Sequence, residues 1–322
     1  MSHKLLKPVN YMEGGYSYWP VLSPRGIRLY TYEQVPCFLK GNPYITDGYR
    51  AYLPSRLCLK SLFIVSNETV NIWSHLFGFL LFFFLGVYDT LVMLPAAQAS
   101  HDDYIIYTIF LFCFQVCMLC STGYHLFCCH RSEKTSRRWL ALDYAGISVG
   151  LLGCYIPGVF YAFYCEEGYT GGILSLSLQY WRQVYLVTVL AVMLLVFFAH
   201  IHPQYFSPQW YTTRLVILSC VSLYGVIPTV HWIVLNGGPT TTIVQDFSPR
   251  VMIMYLLAGV AFVFYVGKVP ERYFPGHVNF VGSSHQCWHI LVVFMFYWWH
   301  QTAVLIMKYR HSTPCHETSL QL

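Results

Sequence analysis

Seven stretches of the chain are apolar almost without interruption and long enough, at about 20 helical residues each, to cross roughly 30 Å of hydrocarbon. They run from Ile72 to Leu94, Tyr104 to His125, Trp139 to Phe163, Val184 to His200, Leu215 to Leu235, Val251 to Val266 and Gln286 to Met307. Short polar segments separate them. The pattern predicts an all-α membrane protein, a seven-transmembrane helix bundle. Pro157 in the third span and Pro228 in the fifth predict kinks. The chain before the first span is different in kind: prolines at 20, 24, 36, 43 and 54 forbid long helices, while aromatics such as Trp19, Tyr30 and Tyr49 set it apart from ordinary disorder. At its end Leu53, Leu57, Ser61 and Leu62 share one helical face and Arg50, Arg56 and Lys60 are basic, the pattern of a short amphipathic helix lying on anionic lipid.

Composition agrees with the pattern. The 322 residues are 56% hydrophobic and 10% charged, against about 25% charged in soluble domains. Mean hydropathy is +0.47. A soluble protein and a nucleic-acid-binding protein are both excluded as classes. The first 70 residues contain no unbroken apolar core of the signal-peptide kind, so insertion is expected to begin with the first span.

Charge sets the expected orientation. With the N-terminus in the cytosol, fifteen Lys and Arg fall on that side and only Arg182, Arg250, Lys308 and Arg310 on the other. The positive-inside rule then gives a cytosolic N-terminus and a luminal or outer C-terminus. The division that follows is a cytosolic arm at 1–65, the bundle at 66–310 and a short luminal tail at 311–322. The sequon Asn67-Glu68-Thr69 lies on the cytosolic side, where no glycan is added. Trp73 and Trp139 near inner ends and Trp232, Trp298 and Trp299 toward outer ends fit interfacial belts.

Alternate spans reverse direction, and this gathers polar residues far apart in sequence. Glu68, Asn71 and His75 form one stripe on the first span, Ser121 and His125 share a face of the second, Asp143 lies a turn inside the third, and His285 and His289 open the seventh. His75, Ser121, His125, Asp143, His285 and His289 fall within about 10 Å of depth of one interface. Polar groups at that depth must face protein or water. Imidazoles from His125, His285 and His289 form a tetrahedral half-cage with one open vertex, the arrangement of a catalytic or ligand-accepting zinc site. Asp143 is then placed to act as general base, Ser121 supports it, and Glu68, Asn71 and His75 stand as supporting groups. The same spacing also fits a hydrogen-bonded cluster without metal.

Other residues invite plainer readings. His200 and His202 are expected as solvated caps, and His231 and His300 are expected to satisfy each other or backbone. Cys117 and Cys120 read as small packing residues, and Cys128-Cys129 as a reduced pair rather than an acylation site. Cys165 and Cys315 share the far, oxidising side and can pair. The loop from Glu166 to Tyr180 is the longest outer connection.

Three blocks carry a resemblance. Ser66-Asn67-Glu68-Thr69-Val70-Asn71-Ile72-Trp73-Ser74-His75 comes first. Tyr124-His125 follows, with His130-Arg131-Ser132-Glu133-Lys134 and Leu142-Asp143-Tyr144-Ala145-Gly146-Ile147, and Ser284-His285-Gln286-Cys287-Trp288-His289 comes last. In this order they resemble the signature blocks of the progestin and adipoQ receptor (PAQR) family, over about Ile45 to the C-terminus. The resemblance implies a seven-helix bundle with a cytosolic N-terminus and an inner-leaflet Zn2+ held by His125, His285 and His289, with Asp143 close by. Trp19-Pro20-Val21-Leu22, the run Pro24 to Gln34 and the run Asn42 to Arg50, with Ser66 and Ser74, look like one branch of that family rather than its adiponectin receptors. For that branch the resemblance implies a protein of the Golgi membrane whose cytosolic arm holds Raf kinase there and damps the MAP kinase cascade. The adiponectin receptors look like zinc amidases acting on ceramide, so a ceramide-like lipid entering between the helices is the competing expectation. A receptor for a steroid or secreted ligand is the third, and the short outer loops offer such a protein little surface.

Overall fold

The computed structural model describes residues 27–165 and 178–313. The N-terminal block around Trp19, most of the Glu166 to Tyr180 loop, and the tail with Cys315 lie outside the described residues.

Seven helices long and apolar enough to span a membrane form the bundle: Thr69–Ala96, His101–Phe127, Glu133–Ala162, Leu178–Ile201, Tyr211–Leu235, Thr242–Gly267 and Ser284–Ser312. Five of them extend beyond both ends of the apolar runs, the fifth begins before its run and ends with it at Leu235, and the third begins before its run and closes beside its end. Hydropathy marks only the part in hydrocarbon, while a helix continues until its terminal backbone groups are capped. Ser100 opens the second helix by accepting from the Asp103 amide while the Asp103 carboxylate accepts from the Ser100 amide. Ser283 and Gln286 form the same reciprocal pair at the head of the seventh. Lys268 closes the sixth in the left-handed conformation at φ 51°.

The two prolines behave differently. The third helix runs unbroken through Pro157. The fifth is interrupted at Tyr224 and Gly225, between Tyr211–Leu223 and Val226–Leu235. Tyr224 is four residues before Pro228, the carbonyl with which a proline ring collides. The first helix carries a π-turn at Asp89–Met93 that hydropathy does not announce.

The second and third helices approach closely through small residues. A Cβ on Gly153 would stand 2.8 Å from Cys113 Cβ and 3.1 Å from the Phe110 carbonyl, and one on Gly146 would stand 2.9 Å from Cys120 Cβ. Cys117 and Cys120 are thus packing residues with free thiols, as expected, and Cys113 joins them. Beside them an aromatic core joins Phe82, Phe114 and Phe296, the last two stacked at 4.1 Å. Trp232 and Trp299, expected in an interfacial belt, are instead buried, and Trp299 donates its indole N–H to the Cys154 carbonyl at 2.7 Å.

The far end of the bundle is closed by Asp103, fully buried, which accepts from Ser100, Tyr161 and His311. Arg310 donates to the carbonyls of Tyr161 and Ala162. Cys165 is disulfide-bonded; its expected partner Cys315 lies outside the described residues.

At the opposite end, residues 27–65 fold against the helices. Leu29 and Tyr30 pair antiparallel with Arg50 and Tyr49. A short helix, Ser55–Lys60, follows. Leu53 bridges to His130, donating its amide to the Cys129 carbonyl and accepting from the Arg131 amide. Arg50 corrects the expectation of a basic face on lipid: it is 2% exposed and donates to Ser61 Oγ and, at 2.7 Å, to the His125 carbonyl. Only Arg56 and Lys60 of that basic set are exposed.

Candidate metal centre

Three helices deliver the imidazoles of His125, His285 and His289 and their supports to one point. His125 sits on the last turn of the second helix, while His285 and His289 occupy one face of the first turns of the seventh. The first helix supplies Asn71 and His75, preceded at once by Glu68. One ligand atom from each of the three histidines lies within 4.8 Å of the others.

Their hydrogen bonds fix which nitrogens face inward. His125 Nδ1 meets Glu68 Oε2 at 2.7 Å, and the same oxygen accepts from Asn71 Nδ2 at 2.7 Å. Burial works against the charged carboxylate, but the His125 imidazole and the Asn71 amide outweigh it and hold Glu68 below the usual carboxylate range. A charged Glu68 makes His125 Nδ1 the donor and leaves Nε2 as a lone pair. His289 Nδ1 donates to the Asn71 carbonyl at 3.1 Å, so its Nε2 is also a lone pair. The inward nitrogens then stand Nε2 to Nε2 at 3.3 Å between His285 and His125 and at 3.2 Å between His289 and His285.

This arrangement fits a tetrahedral cation. Ligand nitrogens at Zn–N distances of about 2.0–2.1 Å lie about 3.3–3.4 Å apart along a tetrahedron's edge. Without a cation, a proton on His285 Nε2 would satisfy only one of its two facing lone pairs, and a proton on Nδ1 neither. The donor set is three imidazoles, two of them, His125 and His289, anchored through the other ring nitrogen, and it is a set that zinc takes. His75 completes the support: its ring stacks on His289 at 3.8 Å and its Nε2 donates to the His289 carbonyl at 3.3 Å.

Ser121 and Asp143 also arrive at this end. Both line a cavity of about 850 Å³ that begins at the three histidines and runs between the helices to Trp299 and Thr302. All eight residues singled out from the sequence therefore share one site.

Other residues were not legible as part of it. Glu271, fully buried, accepts from the Ser284 amide at 2.8 Å and from Asn42 Nδ2 at 3.0 Å, so it caps the helix that carries His285 and ties it to the N-terminal segment. A lone Glu before Ser284 was the available signal. His200, expected as a solvated cap, is buried and its Nδ1 pairs with Ser148 Oγ at 3.0 Å. His202 is exposed as expected. His300 pairs with Asp89 at 2.6 Å and His231 with Tyr185 at 2.9 Å, so these two do not satisfy each other. Cys128 and Cys129 are buried free thiols, as read.

Residues 63–300 match the family described as haemolysin-III related. The chain is 67% identical over 316 residues to progestin and adipoQ receptor family member 3 of Mus musculus and, over the same length, to that of Homo sapiens, covering 98% of this chain and 98% of each relative. It is 31% identical over 263 residues to an adiponectin receptor protein of Drosophila melanogaster, covering 81% of this chain and 56% of that protein. The stronger match is to the branch read from the N-terminal blocks, and the chain belongs to the haemolysin-III-related progestin and adipoQ receptor family.

Proposed function

We propose that this protein is a Golgi-membrane tether: zinc held by His125, His285 and His289 braces the cytosolic end of the bundle, and the folded N-terminal segment on that end holds Raf kinase away from the plasma membrane, negatively regulating the MAP kinase cascade. The observation that carries this reading is the docking of the segment. Arg50 reaches the carbonyl of His125 itself, and Asn42 reaches the cap of the helix bearing His285. Ordering around the metal therefore supports the segment's shape. Beside it stand exposed apolar side chains at Tyr52, Phe63, Tyr273 and Phe274, the kind of surface a protein partner covers. A cytosolic N-terminus is part of the proposal and rests on the distribution of Lys and Arg. The test is recruitment of Raf to Golgi membranes. Deleting residues 1–60 is expected to abolish it. Recruitment that survives the deletion but is lost in His285→Ala defeats the tether.

The cavity favours a second reading, a zinc-dependent lipid amidase. It is elongated, walled by Met254, Phe262, Phe296 and Trp299, and polar at the end where the histidines stand, a shape suited to a ceramide-like lipid with its amide inward. Zinc, when bound, supplies Lewis acidity at that end. The chain's own part is to hold the ligand nitrogens, present Asp143 to the same cavity as the group that accepts a proton, and keep bulk water from the apolar length. Metal-loaded protein is expected to cleave ceramide and Asp143→Asn to lose that activity. Intact ceramide after incubation with the metal-loaded wild type removes this reading.

A further inference from the structure

Three thiols meet where the N-terminal segment crosses the end of the second helix. Cys58 lies on the short helix Ser55–Lys60, and Cys128 and Cys129 follow directly after His101–Phe127. Cys58 and Cys129 have no exposed surface, and their sulfurs stand 3.8 Å apart although 71 residues separate them in the chain. Their backbones are held side by side by the Leu53 amide on the Cys129 carbonyl at 3.0 Å and the Arg131 amide on the Leu53 carbonyl at 2.8 Å. A disulfide needs the sulfurs at about 2.05 Å, a closure that side-chain rotation supplies when the backbones already run together.

The surroundings suit an attacking sulfur. The neighbouring thiols of Cys128 and Cys58, and beyond them the buried Arg50 charge, hold the Cys129 thiol below the ordinary thiol range, and its Sγ meets Cys58 Sγ at 3.8 Å and the Leu126 carbonyl at 3.4 Å. The Nε of Arg50 is buried with no hydrogen-bond partner among the described residues, a donor left over after the guanidinium has served Ser61 and His125. A low thiol pKa beside a second thiol is one half of an oxidation-sensitive pair; access is the other, and for sulfurs with no exposed surface it comes when the N-terminal segment lifts locally from the second helix.

We propose that Cys58 and Cys129 form a reversible disulfide when a peroxide is present, a staple that locks the N-terminal segment onto the helix carrying His125. The Cys129 thiolate attacks one oxygen of hydrogen peroxide. The O–O bond breaks, the departing hydroxide takes up a proton as water, and Cys129 becomes a sulfenic acid. The Cys58 sulfur then attacks the Cys129 sulfur; the S–S bond forms, the S–O bond breaks and a second water leaves. Two electrons pass from the two thiols to the peroxide, and both thiol protons end in water. Dithiol reductant reverses the change. The consequence is a segment whose attachment beside the metal centre depends on redox state and not on the metal alone.

The experiment uses the full chain in detergent or lipid nanodiscs, treated with hydrogen peroxide, unfolded, alkylated and digested. The expected result is loss of two alkylatable thiols per chain, a cross-linked peptide joining Cys58 to Cys129, and return of both thiols on reduction. Cys58→Ser should leave Cys129 trapped as a sulfenic acid that reacts with dimedone, and Cys58→Ala should do the same should the serine disturb folding. The proposal is overturned by either of two outcomes in the wild-type chain: both thiols remain fully alkylatable after peroxide, or the cross-link joins Cys129 to Cys128 or any cysteine other than Cys58.

Discussion

Glu68 and His125 are 57 residues apart in the chain and 2.7 Å apart in the bundle, Oε2 to Nδ1. That contact sets the tautomer of one candidate ligand, and the Asn71 carbonyl sets a second by the same logic at His289. Removing such an outer partner typically costs about 10–100-fold in metal affinity. Glu68→Gln is expected to lower zinc affinity by about that much while leaving the bundle folded, measured by competition against a chromophoric chelator. An unchanged affinity contradicts the assignment of Glu68 as the group that orients His125.

Arg50 ties the N-terminal segment to the bundle. Arg50→Met leaves the Ser61 hydroxyl and the His125 carbonyl without their charged donor, a loss of about 1–3 kcal/mol. The readout is amide hydrogen exchange: residues 29–65 are expected to exchange faster while the third to sixth helices do not change. Arg50→Lys is expected to rescue little, because an ammonium cannot reach both partners in a fixed fork. Exchange that remains at the wild-type rate in both variants contradicts the docking.

The Asp89–His300 pair, 2.6 Å apart with both side chains 2% exposed, joins the π-turn of the first helix to the seventh. Breaking a buried pair by removing one partner typically costs about 3–5 kcal/mol, whereas replacing both with apolar side chains is often neutral. Asp89→Ala and His300→Ala are each expected to lower Tm clearly in detergent, and Asp89→Leu combined with His300→Phe to recover most of the loss. A double variant no more stable than the singles excludes the pair as the cause.

Gly153 and Gly259 give opposite expectations for the same change. A Cβ at 153 meets Cys113 and the Phe110 backbone, whereas at 259 nothing lies within 4 Å. Gly153→Ala is expected to destabilise by about 1–3 kcal/mol through overpacking. Gly259→Ala, inside a helix, is expected to be neutral or to stabilise by about 0.5–1 kcal/mol. Thermal unfolding of the two variants side by side checks both, and equal effects exclude close packing at Gly153.

Much of this was readable from residue order. The spans were legible because hydrocarbon leaves few ways to satisfy a backbone, and the three histidines because alternate spans return to the same depth. What stayed hidden depends on contacts between helices. A basic residue in an apolar segment reads alike whether it lies on lipid or, like Arg50, turns inward to a carbonyl. His200 at the end of an apolar run looks solvated until Ser148 of another helix is beside it, and nothing in the spacing of Asp89 and His300 announces their meeting across 211 positions.

The centre itself is tested by metal analysis of the purified full-length chain, wild type beside His125→Ala. About one zinc per wild-type chain, lost in His125→Ala while the variant keeps its helical signal, is the result expected of three imidazoles arranged to share a cation. Wild-type protein that takes up no zinc even when supplied with it, or a variant that keeps the full complement, contradicts it.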